Sequence, residues 1–495
     1  MSEDKELPRG WEASSLGEAC EISAGVGFPN GLQGKASGEY PFFKVGDISE
    51  AWQDGRKALV QAKHYVSQDD LVALKARPLR EGSVVFAKIG AAISLNRRAV
   101  LGQPSLIDNN CMALWVPSAH LLPDYLFYFT CTLRLGELAR ASVVPSLRKS
   151  DLEVLPFPIP PLPEQHRIVE KIDEVFSDLD AGVASLQRAK GNLKRYRASV
   201  LKSAVEGRLT EEWRKGNPQA EDALGQIERT PAPPLPNRWS TRSKDIIPGH
   251  GALAVGNPDT PLPESWTWTP LVRVARMETG HTPSRKHPDW WGGEVPWISI
   301  SDARKHHGGL ILETEEMTNA DGLANSASRL LPKGTVCISR TASVGYVIVM
   351  GCDMATSQDF VNWVPSDCVL SDWLRIVFMA DRNVLLRFGK GSVHKTIYFP
   401  EWLSTHIALP PLAEQEQIVA LVEERLSQID SAEKTIDAEL IRAKRLRQSI
   451  LKTAFEGKLV PQNPKDEPAS VLLERIKATR EAEQPKKKAK KVKSK

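Results

Sequence analysis

Apolar residues recur with a period of seven along two stretches of the chain. Ile172, Leu179, Leu186, Leu193 and Val200 form one series, and Val422, Ile429, Ile436, Ala443 and Ile450 form the other. A heptad sustained over several turns predicts a coiled-coil helix rather than an ordinary surface helix. Pro160, Pro161 and Pro163 give the first helix a stiff, extended entry, and Glu164 falls in the first turn, where the helix dipole favours an acid. Gly207 and Gly457 follow the last apolar turn, the place of a C-terminal glycine cap. From Glu164 to about Glu206 the helix would run roughly 60 Å at ~1.5 Å per residue. Phe176, Val183, Leu426 and Leu440 lie beside the seam and predict a second face buried against a partner.

The two helices are copies. Residues 159–210 and 409–460 align without a gap at an offset of 250, and about 20 of the 52 pairs are identical, a long-period repeat. The identities include polar residues (Glu164, Gln165, Asp180, Lys194, Arg195, Arg197) that core packing alone does not require.

Elsewhere the pattern shortens. Residues 1–158 alternate β-type runs, YPFFKV, GSVVFAKI and MALWVP, with turn signals, and their best helical stretch is 121–140. Residues 263–408 echo this unit. Leu7, Pro8 and Trp11 return as Leu262, Pro263 and Trp266, LREGSVVFAK returns as LPKGTVCISR, and Trp115-Val116-Pro117 as Trp363-Val364-Pro365. Between these landmarks the units share little, as expected of two readers of different targets. Residues 211–262 read as a proline-rich, semi-rigid connector with a short helix near EDALGQIERT, and 461–495 as a short helix and a Lys-rich tail. Asn217-Pro218 and Asn463-Pro464 mark where the repeat is expected to fade. The predicted architecture is α+β: two similar mixed α/β domains (1–158 and 263–408) joined by two long coiled-coil helices (159–210 and 409–460).

Composition narrows the function. A chain of 495 residues exceeds one core and implies several domains. The net charge of +4 is misleading, because residues 485–495 carry seven lysines and no acid. Without them the chain holds 58 basic and 61 acidic residues, so nucleic acid would have to be bound through local patches. The tail adds non-specific phosphate contacts or simply solubility. Six scattered cysteines without a CxxC pair fit a reducing cytoplasm, and neither a signal-peptide core nor an apolar run of membrane-spanning length is expected.

Catalytic patterns are missing. There is no phosphate-binding loop (NGLQGKAS has the wrong spacing), no HExxH, no GxSxG elbow, and no DPPY or NPPY of amino-methyltransferases. Gly25 and Gly27 make a lone GxG, and His306-His307 lie in a basic loop where solvated side chains are the rule.

The set of markers resembles the specificity (S) subunit of type I restriction–modification systems over nearly the whole chain. The markers are P-P-L-x-E-Q-x-x-I-V at 160–169 and 410–419, L-K-S-A-V-E-G-R-L at 201–209 with L-K-T-A-F-E-G-K-L at 451–459, and L-P-x-x-W at 7 and 262. The resemblance implies two target-recognition domains, each reading half of a split, asymmetric DNA sequence, with the two long helices paired as an antiparallel coiled coil of pseudo-two-fold symmetry that acts as a ruler between them. It implies two modification subunits carrying S-adenosylmethionine and methylating adenine at N6. It also implies two restriction subunits supplying ATP-driven, Mg-dependent translocation and cleavage. This chain would hold no cofactor or metal and catalyse nothing. Contact residues are then expected in the unrepeated loops: Lys44, Lys88, Asn96, Arg97, Arg98, Asn110, Arg148 and Lys149 in the first domain. In the second they are Arg285, Lys286, Arg304, Lys305, Arg340, Gln358, Lys390, His394 and Lys395. Arg and Lys suit guanine or phosphate, and Asn and Gln suit adenine. Lys88 and Arg340 stand out because both follow the same strand in the two copies. A coiled-coil scaffold whose globular units bind protein or glycan is the competing class, and a steep salt dependence of duplex binding separates the two.

Overall fold

The computed structural model describes residues 7–117, 119–140, 144–217, 221–235, 253–255, 259–341, 343–380, 385–386 and 395–483. They fall into two compact units, Met1–Leu186 with Ala438–Lys495, and Gln187–Asp437. Residues 159–210 and 409–460, read above as helical segments of their own, are each divided between these units.

In the first unit the strands are β1 (Glu12–Ser15), β2 (Glu21–Ala24), β3 (Tyr40–Phe43), β4 (Ala58–Leu59), β5 (Tyr65–Val66), β6 (Val84–Ala87), β7 (Arg98–Leu101), β8 (Leu106–Ile107), β9 (Cys111–Trp115) and β10 (Pro156–Ile159). They form a five-stranded sheet of order β2-β9-β6-β7-β4, a three-stranded sheet β5-β3-β8, and the pair β1-β10. β4 joins β7 in parallel and β8 joins β3 in parallel, while the other pairs are antiparallel.

The second unit holds β11 (Leu253–Val255), β12 (Thr267–Pro270), β13 (Ala275–Thr279), β14 (Trp291–Ile298), β15 (Leu310–Ile311), β16 (Glu316–Thr318), β17 (Val336–Ser339), β18 (Val347–Met350), β19 (Ala355–Thr356), β20 (Phe360–Pro365) and β21 (Thr405–Leu409). Its sheets repeat the same plan, β13-β20-β17-β18-β15 and β16-β14-β19, with the same two parallel joints. β11 adds one parallel strand beside β21.

The central strands β6 (VVFA) and β17 (VCIS) are buried at every position, so apolar residues run on without alternation. Val84 and Phe86 enter the larger core cluster of the first unit, and Val85 enters the smaller one on the opposite face of the sheet. The helix expected over 121–140 is interrupted: it spans Pro123–Thr132 and resumes at Leu135–Leu138. Arg98 donates to Leu133 O and Leu135 N donates to Asn96 Oδ1, and these bonds hold the backbone out of the helix between the two pieces.

The long helices span Leu162–Val205 and Leu412–Phe455, 44 residues each. Both end in the same Schellman turn. Arg208 N donates to Ser203 O and Gly207 N to Ala204 O; Lys458 N donates to Thr453 O and Gly457 N to Ala454 O. Gly207 and Gly457 have φ of +73° and +69°, which costs a residue with a Cβ about 1–2 kcal/mol. Within each unit the two helices run antiparallel. Asp180 pairs with Arg447 in the first unit; Lys190 pairs with Asp437, and Arg197 with Asp430, in the second.

Towards their ends the helices leave the coil and join a globular core. Ile168, Ile172 and Phe176 pack in the first unit's core, and Ile418, Val422, Leu426 and Ile429 in the second unit's. Phe176 lies edge-on to Tyr128 (5.7 Å) with the Arg447 guanidinium 4.3 Å above its ring. Phe176 and Leu426, expected to face a partner, are therefore used within their own unit, because the helix face beside the seam is covered by the globular domain. Val183 and Leu440 remain half-buried, as do Leu179, Leu186, Leu193, Ile436, Ala443 and Ile450, while Val200 is buried.

The repeat also continues beyond Asn217 and Asn463. Helices Ala223–Arg229 and Ala469–Glu483 start alike: Ala223 N donates to Ser265 O and Ala469 N to Gly10 O. Glu221 pairs with Arg229 as Glu467 pairs with Arg475. Part of the expected connector is thus a docking helix of the repeat. It escaped the alignment because the extra turn Glu211–Gly216 changes the offset from 250 to 246.

Candidate nucleic-acid interface

In each domain one end of the five-stranded sheet gathers several of the predicted contact residues. Lys88 follows β6 directly, its N–H donates to Asn110 O at 2.8 Å, and its carbonyl accepts from Leu147 N at 2.9 Å. Arg340 follows β17, donates to Asp359 O at 2.7 Å, and accepts from Ile397 N at 2.9 Å. One backbone frame therefore sets a cation at the same place in both copies. Lys88, Asn110 and the exposed pair Arg148 and Lys149 come together around it in the first domain. Arg340, Gln358 and the exposed Lys395 do so in the second. The guanidinium of Arg340 stacks on Phe399 at 4.4 Å and gives its Nε–H to Gln358 O at 3.2 Å; burial pulls its pKa below the usual arginine range. Asn110 turns its amide toward the Asp108 carboxylate, at 3.4 Å.

The loop between the first two framework strands leaves from this end. Gly25 and Gly280, related by an offset of 255, lie so close to the opposite loop that a Cβ would sit 1.8 Å from Asp108 O and 2.0 Å from Ser357 O. Val26 N then donates to Ile107 O, and His281 N to Thr356 O, each at 2.9 Å. In the first domain Lys44, across this loop, donates to Gln33 Oε1 at 2.6 Å and lies over Phe28, which stacks on Phe42. In the second, Arg285 makes a two-pronged ion pair with Glu316 (2.6 and 2.7 Å) and lies 3.7 Å above Trp291. The Glu316 carboxylate raises its pKa further. Lys286 is exposed beside it.

Two other candidates, Arg98 and Asn96, are held in the framework. Arg98 is 1 % exposed and gives its guanidinium N–H groups to Asn96 O and Leu133 O, both at 2.6 Å, so no surface is left for a base. Asn96 sits in the left-handed region (φ 57°) and spends its carbonyl on Leu135 N and Arg98. Their bonds hold closed the loop that precedes β7. Arg97 is half-buried; Arg304 is exposed, and Lys305 is paired with Glu315, which raises its pKa. Lys390, His394 and the Lys-rich tail lie outside the described residues.

The sequence singled out Glu-Gln at the helix starts without giving its use. Gln165, fully buried, accepts from Leu122 N and donates to Pro160 O; Gln415 accepts from Leu370 N and donates to Pro410 O and Cys368 O. The preceding glutamates bind the segment after the other long helix's end: Glu164 receives Gln462 Nε2, together with Trp11 Nε1 from the start of its own domain, and Glu414 receives Thr210 Oγ1 and Arg214. Burial raises the pKa of Glu164 against the pull of those donors. These clamps fix each globular domain to its helices. Among the described residues no His, Cys, Asp and Glu cluster could hold a metal ion, and no helix is long and apolar enough to cross a membrane.

Two stretches, residues 8–185 and 263–442, match the family model of the type I restriction modification DNA specificity domain. The chain belongs to this family. Both matches run from the L-P-x-x-W start through the globular framework into the following long helix, so the family domain occurs twice. Among relatives, the type I restriction enzyme EcoDI specificity subunit of Escherichia coli is 25% identical over 498 residues, 96% of each chain. The EcoKI specificity subunit of Escherichia coli (strain K12) is 26% identical over 382 residues, 74% of each chain. The solved HsdS subunit from Thermoanaerobacter tengcongensis shares the fold with a TM-score of 0.53 at 19% identity, over 92% of this chain and 98% of that one. A chain solved in a study of type I R-M complex assembly and conformational transition has a TM-score of 0.65 at 18% identity, over 92% and 100%.

Proposed function

We propose that this chain reads the DNA target of a type I restriction–modification complex, each globular domain reading one half of a split, asymmetric sequence. One observation carries the reading: the five-stranded sheet and the sheet β5-β3-β8 of the first domain return strand for strand in the second, down to the bonds around Lys88 and Arg340, while the loops mounted on them differ. A common framework gives a common pose on the duplex, and different loops give different base contacts. The paired helices set the spacing of the half-sites and dock two modification subunits, and two restriction subunits complete the assembly in the cytoplasm. S-adenosylmethionine, ATP and Mg belong to those partners, and this chain contributes binding alone. Exchange of residues 1–158 for the equivalent domain of a relative, followed by methylome sequencing of a host carrying the whole system, is the test. One half of the methylated sequence should change and the other should stay. A change in both halves, or in neither, refutes the assignment.

A further inference from the structure

In the second domain the loop from Gly280 to Trp290 is anchored at three places. At its start Gly280 packs against Ser357 O, His281 N donates to Thr356 O at 2.9 Å, and Thr282 donates to Gln358 Oε1. In its middle Arg285 is held by the two-pronged bond to Glu316 and by Trp291 beneath it. At its far end Asn319 Nδ2 donates to Asp289 O at 2.7 Å and Thr318 Oγ1 to Trp290 O at 2.8 Å. Between the anchors stands an exposed tip, Lys286, His287 and Pro288. Its backbone is closed by His287 N to Ser284 O and Trp290 N to His287 O. The imidazole of His287 stacks on Trp290 (4.1 Å between centroids, 11° between planes), and Asp289 lies 4.0 Å from its Nδ1.

A tip ordered before it meets its ligand loses little freedom on binding. Both N–H prongs of Arg285 are spent on Glu316, so the arginine positions the tip rather than meeting the DNA. Gln358 joins the start of the loop to Arg340 through its carbonyl, so the loop sets out from the sheet end where Arg340 and Lys395 lie.

We propose that this loop is the segment of the second domain that reads the major groove, with Lys286 and His287 meeting base edges and Arg285 acting as a positioning residue. Cationic and imidazole donors suit the N7 and O6 acceptors of purines. This rests on the reading proposed above. The test uses the whole modification complex, with the methylated sequence of the unmodified complex and of Lys286→Ala, His287→Ala, Arg285→Ala and Arg285→Lys determined side by side. Each tip variant should lose roughly 5- to 150-fold discrimination at one base pair of the second half-site, with the first half-site intact. Arg285→Ala should relax the same positions, and Arg285→Lys should restore little, since a lysine cannot make the two-pronged bond. If the unmodified complex has a split target but the tip variants keep every base, or weaken equally on all sequences, the loop assignment is wrong. If the unmodified complex shows no split target, the underlying function is wrong instead.

Discussion

Replacing Gln415 by alanine should loosen the second globular domain from its helix. The side chain is fully buried and makes three hydrogen bonds, to Leu370 N at 2.8 Å, Pro410 O at 2.9 Å and Cys368 O at 3.0 Å. Each is worth about 1 kcal/mol net, and each backbone group left buried without a partner costs about 1–3 kcal/mol. Leu370 is only partly buried, so water can reach its N–H, and the total comes to roughly 3–4 kcal/mol. Gln165→Ala removes two such bonds in the first domain and should cost roughly 2–3 kcal/mol. Hydrogen exchange followed by mass spectrometry reads these locally. In Gln415→Ala, amides of 368–380 and 405–420 should exchange roughly 100- to 1,000-fold faster, because every 1.4 kcal/mol is tenfold. Amides of 1–186 should be unchanged, since the lost bonds lie in the other compact unit. Acceleration below tenfold, or spread equally over both units, would show that the glutamine is not the clamp.

Gly457→Ala should lower the thermal midpoint more than Gly34→Ala: both have positive φ, but a Cβ at 457 would lie 2.2 Å from Pro8 Cγ while that at 34 meets open space; equal shifts would deny the packing role. The Lys35 ammonium and the Ser67 N–H hold the Asp70 carboxyl at about 2, so its contribution to stability is present above the ordinary aspartate value near ~3.9 and is lost as pH falls towards 2. Lys35→Met should move the NMR-measured Asp70 titration upward, and an unmoved titration would refute the pairing. Inserting one heptad after Leu186 and another after Ile436 keeps the apolar seam and lengthens each helix by roughly 10 Å at ~1.5 Å per residue. Methylome sequencing should then show weakened modification or a longer spacer, and a functional variant that retained the parental spacer would end the ruler idea.

Packing decided which of the candidate side chains are held in the framework. Lys88 and Arg340 could be paired from the sequence because strand and neighbours repeat around them, and the structure gives them matching backbone bonds. Asn96 and Arg98 have no such match in the second copy, and Arg98 closes the break at Leu133 and is 1 % exposed. Gly25 passed as half of a lone GxG, although Gly280 stands at the same offset as the Trp11 and Trp266 pair; the close approach that requires both is a contact between distant loops.

The sequence by itself determined the duplication, the two long helices and their caps, because heptads, proline entries and terminal glycines act through neighbours a few residues away. It also determined the mixed α/β character of the domains and the family, through markers kept in register. Only the tertiary structure decided that the helix ends join the globular cores, so that Phe176 and Leu426 are covered by their own unit. It alone assigned Gln165 and Gln415 to clamps, and extended the repeat through Ala223 and Ala469. Those outcomes depend on which distant backbone group lies opposite a side chain, and periodicity along one chain carries no information about that.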